Sequence, residues 1–139
     1  AGVWYNAAIV VDPAKSGTDK IKLYINGVEE ALGYSSGTPA DLKDIDLTSN
    51  FFIGQSDGKR RLNGAISYAR IWTKAHDASE IAAYNGAFVD PSANGLAAYW
   101  AFNNGAGDGV DKFISLTDNN FEAKAANKVS AWIIDPVLE

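Results

Sequence analysis

Lys20-Ile21-Lys22-Leu23-Tyr24-Ile25-Asn26-Gly27 is the stretch that decides the fold class. Apolar and polar positions alternate through it, so Ile21, Leu23 and Ile25 share one face and Lys20, Lys22 and Tyr24 the other. A period of two describes a strand with one face in the core and one in water. Tyr24 is therefore expected on the wet face. Asn26 and Gly27 both tolerate positive φ, and the pair favours a type I′ turn leading straight into a second strand over residues 28–31. A hairpin here commits this part of the chain to antiparallel β structure.

The same reading extends outward. Residues 3–11 are apolar and rich in β-formers, and Asp12-Pro13 closes them because proline cannot donate to a ladder. Residues 32–50 are a polar, turn-rich connection that carries Tyr34. Phe51-Phe52-Ile53 predicts a short strand ended by Gly54. Residues 62–72 predict a long strand with a bulge at Gly64. Asp77 precedes Glu80 by three residues, the spacing of a capping box, and Ile81, Ala82, Ala83 and Tyr84 follow before Asn85-Gly86 stops the turn. A helix of about two turns is too short to stand alone and has to pack on a sheet. Further strands are expected at 96–102, 113–116, 120–125 and 129–134, with a Gly/Asn/Asp loop at 103–111. Many short strands between frequent turns point to an all-β sandwich with one short helix.

Composition narrows the function. A chain of 139 residues fits one domain, 1–139, with a core of its own. The net charge of −5 argues against a nucleic-acid partner, which needs a basic surface. Lys59-Arg60-Arg61, beside Asp57-Gly58, is the only basic cluster and reads as a solvated turn. The chain has no cysteine, which excludes disulfides, thiolate metal sites and cysteine nucleophiles. Apolar runs such as Ala7–Val11 are too short to cross a bilayer.

No catalytic constellation is legible, and the chain is expected not to be an enzyme. The one histidine, His76, adjoins Asp77 and reads as a surface loop residue; no G-x-S-x-G motif accompanies it. Glu29-Glu30 follow the hairpin without the separation that a pair of glycosidase carboxylates requires. Gly105-Ala106-Gly107-Asp108-Gly109 lacks dinucleotide-loop spacing, and Asp108 would repel a pyrophosphate. Sugar binding needs aromatic rings for C–H faces beside polar groups for hydroxyls. Trp4, Trp72, Trp100, Trp132, Tyr5, Tyr24, Tyr34, Tyr68 and Tyr99 supply rings. Trp72 and Trp100 are expected to fill the core, which leaves Tyr24 and Tyr34 as the ligand-binding candidates.

Three stretches together resemble the laminin-G-like, concanavalin A-like jelly-roll family. They are Trp4-Tyr5-Asn6-Ala7-Ala8-Ile9-Val10-Val11-Asp12, Leu23-Tyr24-Ile25-Asn26-Gly27, and Phe52-Ile53-Gly54 with the segment from Leu62 to Trp72 and the helix behind it. Gly95-Leu96-Ala97-Ala98-Tyr99-Trp100-Ala101-Phe102-Asn103-Asn104-Gly105 with Asp111 is similar to the family's opening segment, yet here it comes last. Residues 1–89 thus correspond to the family's second half and 95–137 to its opening. A permuted arrangement, a joined tail and head, or a fragment completed by upstream strands are the expectations that follow.

The resemblance implies a jelly-roll β-sandwich acting as a non-catalytic recognition module. Carbohydrate binding in a secreted or cell-surface bacterial protein is the first expectation. A structural or protein-interaction module, pairing sheet edges with a neighbouring domain or with itself, is the alternative. An accessory domain of a glycoside hydrolase is the second alternative. No cofactor is expected beyond the Ca²⁺ that the family often binds, for which Asn103, Asp108, Asp111 and Asp118 are the candidate ligands. The family's acidic pair after the isoleucine is replaced here by Ser67 and Tyr68, which removes two further ligands.

Overall fold

A computed structural model describes residues 2–33, 37, 39, 51–56, 60–102 and 112–124. The chain divides into two compact units, one of residues 1–50 and 74–90 and the other of residues 51–73 and 91–139. Both are built from antiparallel strands, and the described residues contain one short α-helix. The fold class is all-β, as the alternation and turn spacing predict.

In the first unit, strands β1 (Ala7–Val11), β2 (Ile21–Ile25) and β3 (Val28–Glu30) form one sheet in that order. Asp12 closes β1: its backbone N–H donates to the Lys20 carbonyl at 2.8 Å, and its carboxylate accepts from the Ala14 N–H at 3.0 Å. The β2–β3 turn is of the expected kind, with φ of 51° at Asn26 and 79° at Gly27. Asn26 does a second job. Its side-chain oxygen accepts from the Asn6 N–H at 2.9 Å and its own N–H donates to the Asn6 carbonyl at 2.8 Å, so the hairpin turn also anchors the residue before β1. Residues 3–6, expected to begin that strand, lie outside it.

Register places Ala7, Ile9 and Val11 beside Ile25, Leu23 and Ile21, and Ala8 and Val10 beside Tyr24 and Lys22. The two faces follow the predicted alternation, with Ile21, Leu23 and Ile25 half-buried, but the environment of Tyr24 differs from the expected one. Tyr24 is the most buried residue of β2, at 4% exposure, whereas on the apolar face Ile9 is 71% and Val28 64% exposed. Helix α1 (Ala78–Ala83) packs beside β3, and a Cβ placed on Gly27 would lie 3.2 Å from the Ala82 backbone. Glu29, opposite Tyr24 in the ladder, meets the tyrosine hydroxyl at 3.5 Å. Alternation separates two faces; it does not say which residue of a face the fold will bury most.

In the second unit, β4 (Gln55–Ser56) pairs with β5 (Arg60–Arg61), so the two arginines read as a solvated turn belong to a short strand. Strand β6 (Tyr68–Trp72) pairs with β7 (Leu96–Ala101), and β8 (Lys112–Ile114) with β9 (Glu122–Lys124). The long strand expected over 62–72 is shorter. Residues 62–67 are irregular, with Asn63-Gly64 in a bend, and the Leu62 N–H donates to the Gly54 carbonyl at 2.8 Å instead of extending β6. Phe51-Phe52-Ile53 is not a strand either. The core of this unit gathers Ala98, Trp100 and Phe113, with Ile53, Ala69, Ile71, Phe102 and Ala123 packed against them. Phe102 and Phe113 meet edge to face at 5.0 Å. Trp100 fills the core as predicted and donates its indole N–H to the Phe121 carbonyl at 3.0 Å. The strand expected at 129–134 and the loop at 103–111 lie outside the described residues.

The turn geometry gives a direct test. Gly27→Ala puts a side chain on a left-handed backbone and against Ala82. The left-handed conformation alone costs about 1–2 kcal/mol, so the thermal midpoint by circular dichroism should fall clearly below that of an Asn26→Gly control. Equal midpoints would contradict this account of the turn.

Candidate functional site

Strand β6 has two chemically different faces. Ala69 and Ile71 point into the core, so Tyr68 and Arg70 point the other way. The ladder sets Tyr68 opposite Ala101, Ala69 opposite Trp100, Arg70 opposite Tyr99 and Ile71 opposite Ala98. Trp100 and Ala98 therefore join the core face, and Tyr99 joins Tyr68 and Arg70. The result is a cluster of two tyrosines and one arginine. The Arg70 guanidinium carbon lies 4.3 Å from the Tyr68 ring centroid and 4.7 Å from that of Tyr99. The two rings meet edge to face at 6.4 Å. A guanidinium at this distance is attracted by the negative ring face. Its Nη2 also approaches the Tyr99 hydroxyl at 3.5 Å. Tyr68 and Arg70 are half-buried, and Tyr99 is buried beneath them.

Tyr99 is held firmly. Its N–H donates to Ser115 Oγ at 2.9 Å, and its carbonyl accepts from the Leu116 N–H at 2.8 Å. Ser115 Oγ and Thr117 Oγ1 share a hydrogen bond of 2.9 Å, and Thr117 Oγ1 donates to the Ala97 carbonyl at 3.1 Å. Asn119 adds its side-chain amide to the same carbonyl at 3.0 Å. Buried hydroxyls satisfied in this way hold the edge of β7 that faces away from β6 and so fix the backbone that carries the ring. Trp72, expected in the core, is half-buried and alternates with Ile71; the ladder shifts register at that point.

The residues that sequence reasoning singled out fare differently. Tyr24 is corrected: it is buried, not wetted, and so presents no ring face to a sugar. Burial pushes its phenol pKa up, and the Glu29 carboxylate adds to the shift. Tyr34, Asn103, Asp108 and Asp111 lie outside the described residues. Asp118 is exposed in the turn after β8, where its carbonyl accepts from the Asn120 side-chain amide at 2.9 Å. Calcium needs six to eight oxygens. Among the described residues no three acidic, histidine or cysteine side chains gather into such a set.

His76 is also corrected. It is not a surface loop residue but is buried, at 6% exposure. Its ring meets Tyr84 edge to face at 5.2 Å, and Nδ1 lies 3.1 Å from Glu80 Oε2. The capping box explains why. Asp77 Oδ1 accepts from the Glu80 N–H at 2.9 Å, while Glu80 Oε2 accepts from the Asp77 N–H at 3.0 Å. The box turns Glu80 back over the segment before the helix. There it also takes Lys74 Nζ at 2.6 Å and meets His76. The imidazole is part of a helix cap.

The Tyr68–Arg70–Tyr99 cluster was not foreseen. The i, i+2 spacing of Tyr68 and Arg70 is visible in the sequence, but Tyr99 joins them only through a ladder between residues far apart in the chain. The cluster contains a cation set against two rings that meet edge to face.

An antiparallel, all-β module is the class that this architecture defines. The family described as the concanavalin A-like lectin/glucanases superfamily, of laminin-G type, matches residues 1–82. That is more than half of the chain, and the chain belongs to this family. The matched stretch includes the hairpin, the capping box and all of β6; the segment from Gly95 that is similar to the family's opening lies beyond it. No curated protein and no solved structure matches the chain. Laminin-G-like domains are generally non-catalytic modules that bind carbohydrate or protein, and they typically occur in extracellular proteins. No helix among the described residues is long and apolar enough to cross a membrane.

The cap makes acid sensitivity testable. The Ser79 hydroxyl and then the Glu80 N–H hold the Asp77 carboxyl below its ordinary 3.8, and Lys74 and then the Asp77 N–H hold Glu80 below 4.5. Folded-state values that are depressed add stability above the ordinary values, and that stability is lost as pH falls through the folded ones. The thermal midpoint should therefore drop below about pH 4.5, and Asp77→Asn with Glu80→Gln should flatten that drop. An acid limb identical in the variant and the parent would contradict the assignment.

Proposed function

We propose that the chain is a non-catalytic glycan-recognition module of a secreted or cell-surface bacterial protein, and that Tyr68 and Arg70, seated on the buried Tyr99, are its sugar contact. The observation that carries the reading is the placement of Tyr68 and Arg70 together on the non-core side of β6, partly open to solvent. A pyranose offers C–H bonds to a ring face and hydroxyls to fixed donors, and the cluster supplies both within one short strand pair. Rigid β-structure beneath it limits the ordering cost of binding. Family membership supports binding as the class of function.

A glycan array probed with the full chain tests this, followed by titration of the strongest ligand. Tyr68→Ala should weaken binding about ten-fold, the scale of one lost ring contact. Tyr5→Ala serves as the control, because Tyr5 is an exposed aromatic of the first unit; it should leave affinity unchanged. An array without any bound glycan, or a Tyr68→Ala variant that binds as well as the parent, would count decisively against the proposal.

A further inference from the structure

We infer that the outer edge of β1 pairs with the same edge of a second copy of the chain, antiparallel and about a two-fold axis at Ile9. The inference concerns the first unit and stands apart from the glycan reading. Strand β1 ends its sheet among the described residues, with β2 on one side only. Asp12 donates to the Lys20 carbonyl and Asn26 to the Asn6 carbonyl, so in this register Ala8 and Val10 also turn their backbone groups to β2. The N–H and C=O groups of Ala7, Ile9 and Val11 therefore point to the outer edge. Ala7 and Ile9 are exposed there.

An edge strand is ordinarily blunted by charge, proline, a bulge or a covering element. The other edge of this sheet is blunted so: β3 carries Glu29 and Glu30 and lies beside helix α1. Strand β1, Ala-Ala-Ile-Val-Val, has neither charge nor proline, and its register with β2 runs without a bulge. Charge and register fit this strand to itself. Two copies that each carry a net charge of −5 repel one another in general, so their contact has to be uncharged. About Ile9, Ala7 falls opposite Val11 of the second copy, and Asp12 falls opposite Asn6 rather than another carboxylate. Each outward N–H along β1 then meets an outward carbonyl. The Ile9 side chain, 71% exposed in the single chain, lies beside its own copy as a β-branched cross-strand pair. Pairing β1 with β3 instead would run head to tail into open filaments and set β1 against two glutamates.

The test is sedimentation velocity of the full chain from about 5 to about 500 μM, the regime of a small interface. The parent should move from a 14.8 kDa monomer towards twice that mass. Ile9→Lys and Ile9→Glu each set like charges on the axis and should stay monomeric alone; mixed in equal amounts they should form the dimer again. Ile9→Ala should weaken association about five-fold, and it provides a further variant should a charged form not fold. Val28→Lys alters another exposed residue of the same sheet face, away from the edge, and should leave association within about two-fold. A parent that stays monomeric throughout, an Ile9→Lys chain that still dimerises, an Ile9→Ala chain that associates as tightly as the parent, or a Lys/Glu mixture that stays monomeric overturns the pairing. Loss of the dimer in Val28→Lys moves the contact to the sheet face and overturns it as well.

Discussion

The antiparallel ladder between Tyr68–Trp72 and Leu96–Ala101 is the constraint on which the candidate site depends. One register decides two things at once. It sends Ala69, Ile71, Ala98 and Trp100 inward and leaves Tyr68, Arg70 and Tyr99 on the other side. A slip of one residue would exchange the faces, bury the guanidinium and expose the indole. Trp100 resists such a slip because its ring is packed and its N–H is bonded to the Phe121 carbonyl. The hydroxyls of Ser115 and Thr117 resist it from the neighbouring segment. Core packing and site geometry are thus two consequences of the same pairing.

The first unit shows a different logic. A short helix has little stability of its own, and here a reciprocal cap with a buried histidine beside it supplies local order. The helix lies close to the hairpin because Gly27 leaves room beside Ala82. Ion pairs from Lys22 to Glu29 and Asp19, at 2.7 and 3.0 Å, rim the face that carries Tyr24. Their effect on Lys22 is to raise its pKa, through hydrogen bonds to Glu29 first and Asp19 second. Exposed pairs of this kind set local geometry more than they add stability. The opposite face, with Ile9 and Val28, remains the open one.

Local chemistry was legible in the sequence; pairing was not. Asn26-Gly27 and the Asp77/Glu80 spacing each specify a geometry within four residues, and both are present in the structure. Alternation separates the faces of β2 correctly, yet the burial of Tyr24 depends on what packs against its face, which no local pattern reveals. His76 was misread for a related reason: a lone histidine next to a cap looks exposed until Glu80 folds back over it. The arginine–tyrosine cluster escaped notice because its third member arrives through a long-range ladder. The segment from Gly95 to Phe102 adds one point. Its resemblance is to the family's opening, and its strand pairs with β6, which belongs to the matched stretch.

The claim that this sheet face is where ligand binds can be tested at residue resolution. Amide chemical shifts of the full, isotopically labelled chain would be followed during titration with the strongest ligand of the glycan array. The account predicts that the largest changes fall on Tyr68, Arg70 and Tyr99 and that Tyr24 and its neighbours in β2 stay fixed. Changes centred on β2 or on Trp4-Tyr5, with β6 and β7 unmoved, would contradict it.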